Sequence, residues 1–183
     1  MGDDVADVVE RAADLLLSSR FLVLGTASGD PAGDPWVAAV NHVVADDGRL
    51  LFCSSPAARH SGHVAAHPVV AVTAYRVGPA PGDVDGFQAR GRCAVVPPDE
   101  LAARHHEFFL KDFPDPAVRA QVLIDPARFA EGGTHRLYAV RLDECWVRDP
   151  HSWGRDQTDR RLPVPVPDLV RRLGERARSA YTA

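Results

Sequence analysis

The sequence is poor in lysine, cysteine and long apolar runs, and each shortage closes off a class of chemistry. Of its 21 basic residues 20 are arginine, and the only lysine is Lys111. A Schiff base to pyridoxal phosphate or to a carbonyl substrate needs a lysine amine, so Lys111 alone could form one. Cys53, Cys93 and Cys145 stand far apart with no CxxC pair. That spacing suggests neither a disulfide framework nor a thiolate zinc cluster, and it suits a reducing cytoplasm. No apolar run approaches the roughly 18 residues of a membrane span, and Met1-Gly2-Asp3-Asp4 is acidic where a signal peptide is basic, so a soluble cytoplasmic chain is expected. Gly25, Gly29 and Gly33 are spaced G-x3-G-x3-G, which is neither the dinucleotide fingerprint nor a phosphate loop. The G-x-S-x-G elbow and the H-E-x-x-H zinc motif are missing too.

What is present reads as one folded domain over 1–183: 45% hydrophobic and 25% charged residues are the balance of a soluble protein with a core. A net charge of -4 offers no general field for nucleic acid, so neither nucleic acid nor membrane is expected as a partner. The abundance of Ala, Pro, Asp and Val beside arginine fits a GC-rich genome, which makes an isolated arginine weak evidence of function.

Apolar residues at helical spacing from Asp4 to Ser18 predict an amphipathic first helix, with Asp3, Asp4 and Asp7 at its positive end. Phe21 to Ala27 reads as a strand, and a run of turn formers at 29–35 leads to a hairpin of Trp36 to Val44 and Arg49 to Cys53. Ser55 as N-cap and Pro56 at the first helical position predict a short helix over 57–66. Strands are expected at 69–75 and about 87–96, helices at 99–111 and within 114–129, and a final strand or bent strand pair at 136–148. The segment 162–167 reads as extended, before a last helix from about Asp168 to Ala180. About six short-spaced strands without βαβ alternation favour a mostly antiparallel sheet or small barrel with peripheral helices. The chain divides into an N-terminal helix (1–20), a barrel (21–149) and a C-terminal extended segment and helix (150–183).

The best local site is the strand end and helix start that carry Ser54, Ser55, Arg59, His60 and Ser61. Free backbone N–H groups, a helix dipole and the guanidinium fork suit a phosphate-sized anion, although a solvated Arg59 fits the same pattern. His60, His63 and His67 would share one helix face and invite a metal, or haem through one of them or through His105 or His106, against which Pro68 ends the helix and no carboxylate sits close. Trp36, Trp146 and Trp153 can each be core or a flat wall for an aromatic ligand. Gln88 on its strand can face solvent or the polar edge of a ring.

Taken in order, several segments resemble the FMN-binding split-barrel proteins of the pyridoxamine 5'-phosphate oxidase-like superfamily. They are Leu22-Val23-Leu24-Gly25-Thr26-Ala27, Gly33-Asp34-Pro35-Trp36, Arg49 to Ser61, His67 to Val72, Gly86 to Ala94, and Leu137 to Leu142 with Trp146 following. The resemblance covers some 130 residues, and its order and spacing are more specific than any one motif. It implies a mostly β fold, a six-stranded antiparallel split β-barrel of Greek-key type with peripheral helices. It implies a homodimer with one FMN in each of two clefts between subunits, and hydride chemistry on a small organic substrate.

Residue by residue, Ser54, Arg59 and His60 match the family's phosphate-binding positions, with Ser55 and Ser61 beside them. The strand of Trp36, Val37, Ala38, Ala39, Val40 and Asn41 matches the one that runs beside the flavin ring, and Gln88 matches a strand glutamine near it. His60 stands where relatives carry lysine, and the substrate signature of the true oxidases is missing near the C-terminus, which argues against vitamin B6 oxidation. His42, Trp153, Arg155, Arg160 and Arg161 are the candidates for substrate contact, with no catalytic acid–base residue and no metal ligand assigned. A deazaflavin is the second cofactor choice and haem the third; a non-catalytic flavin-binding or regulatory module and a haem-binding split barrel are the alternative functions.

Overall fold

The computed structural model describes residues 5–31, 33–80 and 83–179; Asp3, Asp4, Gly82, Ala180 and the Trp153 side chain lie outside the described residues. In chain order the elements are α1 (Val5–Ser18), β1 (Phe21–Ala27), β2 (Pro35–Val44), β3 (Leu50–Ser54), α2 (Arg59–Ala66), β4 (Val69–Val77) and β5 (Val84–Val95). There follow α3 (Pro98–Asp112), α4 (Pro116–Val122), a 3-10 turn (Pro126–Phe129), β6 (Arg136–Arg148), α5 (Ser152–Asp156), β7 (Arg161–Val164) and α6 (Val166–Ser179). The strands run in the order β3-β2-β1-β4-β5-β6-β7, and β3 also pairs with β6, which closes a six-stranded antiparallel barrel with β7 added outside it.

Strand alternation builds the core. Leu22 and Leu24 of β1, Val70 and Val72 of β4, and Phe87 and Ala89 of β5 point inward, while their odd-face neighbours stay partly or fully exposed. In β6 the inward set changes parity, from Val140 and Leu142 to Cys145 and Val147, because the register with β5 shifts between Arg90 and Gly91. Gly91 is required at that irregularity, since a Cβ there would stand 2.4 Å from the Arg141 carbonyl oxygen. Val8, Ala12, Leu15 and Leu16 of α1 and Leu169, Leu173 and Ala177 of α6 belong to the same core. A second cluster forms where Phe108 and Phe109 of α3 and Phe129 cover Val43, Leu51, Leu137 and Ala139 on the outer wall. Lys111 is buried beside it and donates to Val44 O (2.9 Å), Asp46 Oδ1 (2.7 Å) and Glu107 Oε1 (2.9 Å). Among the described residues no helix is long and apolar enough to cross a membrane.

Three expectations are corrected. The second helix starts at Arg59, with Ala58 as its N-cap residue, and not at Ala57. Ser55 is consumed in a turn before it: its Oγ accepts from Ala57 N (3.2 Å) and its carbonyl from Ala58 N (3.1 Å) and Ser61 Oγ (2.7 Å). The strand at 136–148 is not the last, because Arg161–Val164 pairs with it as β7, its Pro163 tolerated on an edge strand. Finally α5, a short helix with no apolar period to announce it, is started by Asp149, whose Oδ1 accepts from His151 N at 2.9 Å.

Candidate functional site

Two ladders of the barrel are short, β1 with β4 over Val23–Gly25 and β2 with β3 over His42–Val44, and the second leaves the longer open edge. Between β2 and β3 only His42–Val44 pair with Phe52–Leu50, so among the described residues the Pro35–Asn41 stretch of β2 has no ladder partner on the β3 side. His42 N donates to Arg20 O on the β1 side (3.1 Å). Peptide groups alternate along a strand, so the N–H and C=O of Val37, Ala39 and Asn41 point the other way, into this split. Val37 and Ala39 are exposed and Asn41 is half-buried, and an unpaired strand edge of this kind is a ready row of donors and acceptors. Asn41 adds to the demand: its Nδ2 donates to Asp112 Oδ2 (2.6 Å), while its Oδ1 is buried with no partner.

The end of β3 and the start of α2 stand at the mouth of the split. Ser54 Oγ and His60 Nε2 share a hydrogen bond of 2.8 Å. Burial first, and then the neighbouring His63, push the His60 pKa below its ordinary value, so the ring is neutral near pH 7. Arg59 is therefore the one permanent cation of this group. Its guanidinium lies over the Trp36 ring, 4.6 Å from the centroid, and pairs with Asp34 at the end of the turn before β2. Ser55 and Ser61 are tied into the turn described above, so of the candidates here Ser54 and His60 hold each other while Arg59 turns to Trp36 and Asp34.

The outer face of the sheet carries the remaining candidates. The pairings align Ala39, Val23, Thr73, Gln88, Trp146 and Pro163 in one row across β2, β1, β4, β5, β6 and β7. Val23, Gly25, Val37, Ala71, Thr73 and Gln88 line a shallow groove of ≈ 300 Å³ on this face. Arg161 Nε donates to Gln88 Oε1 at 3.0 Å, which joins two candidates 73 residues apart. Arg155 is held by Asp149 (2.8 Å) and Arg160 by Asp156 (2.5 Å), both away from the groove's lining.

His42 is not brought to the split. Even-numbered positions of β2 point inward, and its Nε2 donates to Leu16 O (3.1 Å) at the end of α1, where burial lowers its pKa to about 4. The three histidines at helical spacing also separate: His63 is buried on Thr26 Oγ1 (3.2 Å), His60 turns to Ser54, and His67 is exposed past the end of α2. His105 is buried between Phe109 and Phe129 with its Nε2 on Ile124 O (2.8 Å). Among the described residues no group of three His, Cys, Asp or Glu could hold a metal. Asp34 and Asp112 were not singled out by sequence reading, because each meets its partner only where the turn before β2 rests on α2 and where the end of α3 meets β2.

Comparison with known proteins gives the lineage. A search of the curated proteins finds no match. Among solved structures, a haem-binding protein from Mycobacterium smegmatis superposes with a TM-score of 0.66 at 17% identity, covering 93% of this chain and 61% of that protein. An FAD-binding protein from Mesorhizobium loti gives 0.55 at 17% identity, covering 75% of this chain and 91% of its own. A pyridoxamine 5'-phosphate oxidase-related, FMN-binding protein from Nostoc punctiforme gives 0.53 at 13% identity, covering 86% and 93%. At such identities the likeness is one of fold. The sequence profile of the pyridoxamine 5'-phosphate oxidase family matches residues 8–131, more than half of the chain and the segment that holds both sides of the split, and the chain belongs to that split-barrel family.

Proposed function

We propose that this protein binds FMN in the split between β2 and α2 and acts as a flavin-dependent oxidoreductase on a small organic substrate. The observation that carries this reading is the meeting of two features at one place: a strand edge with unpaired peptide groups at Val37, Ala39 and Asn41, and the candidate anion ligands Ser54, Arg59 and His60 at its mouth. The first suits the ring edge of a flavin, which alternates donors and acceptors; the second suits its phosphate. When bound, the flavin supplies hydride transfer, and the chain's residues bind, orient and shield it. Arg59 and Ser54 would hold the phosphate, and Gln88, steadied by Arg161, would face the ring or the substrate from the outer sheet.

A homodimer completes the proposal. Phe21, Val37, Tyr75, Val77 and Val84 leave apolar side chains exposed on β1, β2, β4 and β5, surface that suits a subunit contact. A second copy would cover them and wall the flavin cleft. The cytoplasm is the proposed setting.

The experiment is a titration of purified protein with FMN, deazaflavin and haemin, followed by size-exclusion chromatography and anaerobic addition of NAD(P)H. A saturable flavin spectrum on a dimer, with reduction and reoxidation by an acceptor, is expected. Flavin binding without turnover would favour a non-catalytic flavin module. A Soret band abolished by a single histidine substitution would favour a haem protein, like the haem-binding protein from Mycobacterium smegmatis.

A further inference from the structure

Asp34 occupies the cation that the phosphate reading requires. Its carboxylate pairs with Arg59 while that guanidinium is stacked on Trp36, and both side chains are about half exposed. The placement is not that of a loose surface pair, because the turn before β2 fixes the backbone of Asp34. Ser28 N donates to Asp34 O (2.9 Å), and Asp34 N returns a bond to Ser28 Oγ (2.8 Å), a reciprocal clamp across the loop. The loop also rests on α2: a Cβ on Gly29 would come 2.8 Å from Ala66 Cβ, so only glycine lets the turn lie this close. The segment that delivers Asp34 is thus seated on the helix that carries Arg59.

Counting charge at the mouth of the split gives Arg59 positive, Asp34 negative and His60 neutral near pH 7. A cradle meant for a phosphate dianion ordinarily gathers positive charge. Here the carboxylate cancels it and repels the incoming phosphate. We infer that Asp34 is an affinity- and specificity-setting residue of the phosphate site, one that must give up Arg59 for a phosphate monoester to bind and so weights recognition toward the ring and away from the phosphate. The inference rests on the flavin reading of the split, and its electrostatic part can be tested without flavin.

Asp34→Asn keeps the clamp and an oxygen that can accept from Arg59 while removing the charge; Asp34→Glu keeps the charge. Loss of one like charge beside a phosphate in a half-exposed site corresponds to about a tenfold gain in affinity. The expected result is that Asp34→Asn binds FMN about tenfold more tightly than wild type, while riboflavin, which has the ring and no phosphate, binds unchanged and Asp34→Glu behaves as wild type. Inorganic phosphate, followed through the Arg59 Nε–H resonance, should show the same gain. Asp34→Ser, which also preserves the backbone clamp, carries the same expectation should the asparagine variant fold poorly. Equal tightening of riboflavin, or no change for FMN and inorganic phosphate, would overturn the inference. If no protein takes either flavin and inorganic phosphate still tightens in Asp34→Asn, the flavin reading falls and the role of Asp34 stands.

Discussion

Arg59→Ala tests the proposed cofactor site most directly. Three contacts of this side chain enter the estimate. Toward a bound phosphate it would provide a charge-assisted hydrogen bond worth about 1.5 to 3 kcal/mol, or roughly a 10- to 150-fold change in FMN affinity. Its pair with Asp34 is half exposed on both sides and contributes at most about 1 kcal/mol to folding, and its stacking on Trp36 contributes about 0.5 to 1 kcal/mol. The substitution should therefore weaken FMN binding by one to two orders of magnitude while lowering the unfolding free energy by no more than about 2 kcal/mol. In the wild type the phosphate must first separate Asp34 from Arg59, a pair the variant does not have to break, which places the expected loss toward the lower end. Quenching of flavin fluorescence gives the FMN affinity, the same titration with riboflavin isolates the phosphate, and urea denaturation gives the stability. FMN affinity unchanged in a folded variant would refute the reasoning and move the phosphate elsewhere. A large loss shared equally by riboflavin would refute it as well, by showing that Arg59 acts through the shape of the split.

Three other perturbations follow from the fold. Lys111→Ala removes a buried ammonium from the half-exposed Asp46 and from Glu107, which keeps Arg104, and should cost about 1 to 3 kcal/mol in urea denaturation; no measurable loss would mean that both carboxylates are satisfied without it. Gly91→Ala drives a methyl group into the Arg141 carbonyl, so the β5–β6 ladder must shift and the melting temperature should fall, whereas an unchanged melting curve would contradict the close approach. His42, with its folded-state pKa lowered to about 4, takes up a proton more readily when unfolded; stability from this residue is full above about pH 6.5 and is lost as pH falls toward 4, by about 3 kcal/mol in all. Burial lowers His60 and His105 in the same direction, so the slope has more than one source, and His42→Gln should flatten it in part when urea midpoints are measured against pH.

Much of this architecture was legible in the residues themselves. Phe21 to Ala27 was bounded correctly at both ends, because an alternating strand lying between a helix and a dense cluster of turn formers leaves little freedom. The nearness of Ser54 to His60 was legible too, since they are close in sequence, whereas Arg59 between them turns to Trp36 and Asp34. What escaped depends on closure. Ser55 looked like a helix cap and instead spends its oxygen on a turn, a choice between two local hydrogen-bond patterns that sequence does not decide. His42 follows Asn41 directly, yet strand alternation sends its side chain inward to the end of α1, which is visible only once the parity of β2 is known. The Gln88–Arg161 and Asp34–Arg59 contacts span 73 and 25 residues and exist because β7 pairs with β6 and the turn before β2 rests on α2.

The solitary lysine has a practical side. Its side chain is 5% exposed and its ammonium is held by Val44, Asp46 and Glu107, so the surface of the described residues carries its positive charge on arginine and histidine alone. Acylating reagents and lysine acetyltransferases therefore find no side-chain amine on the folded molecule, and its side-chain charges are insensitive to that class of modification. The one side-chain amine becomes a clock instead: Lys111 can be acylated only when the end of α3 lifts from the barrel wall, and the rate at which a small ester labels that side chain reports how often that happens.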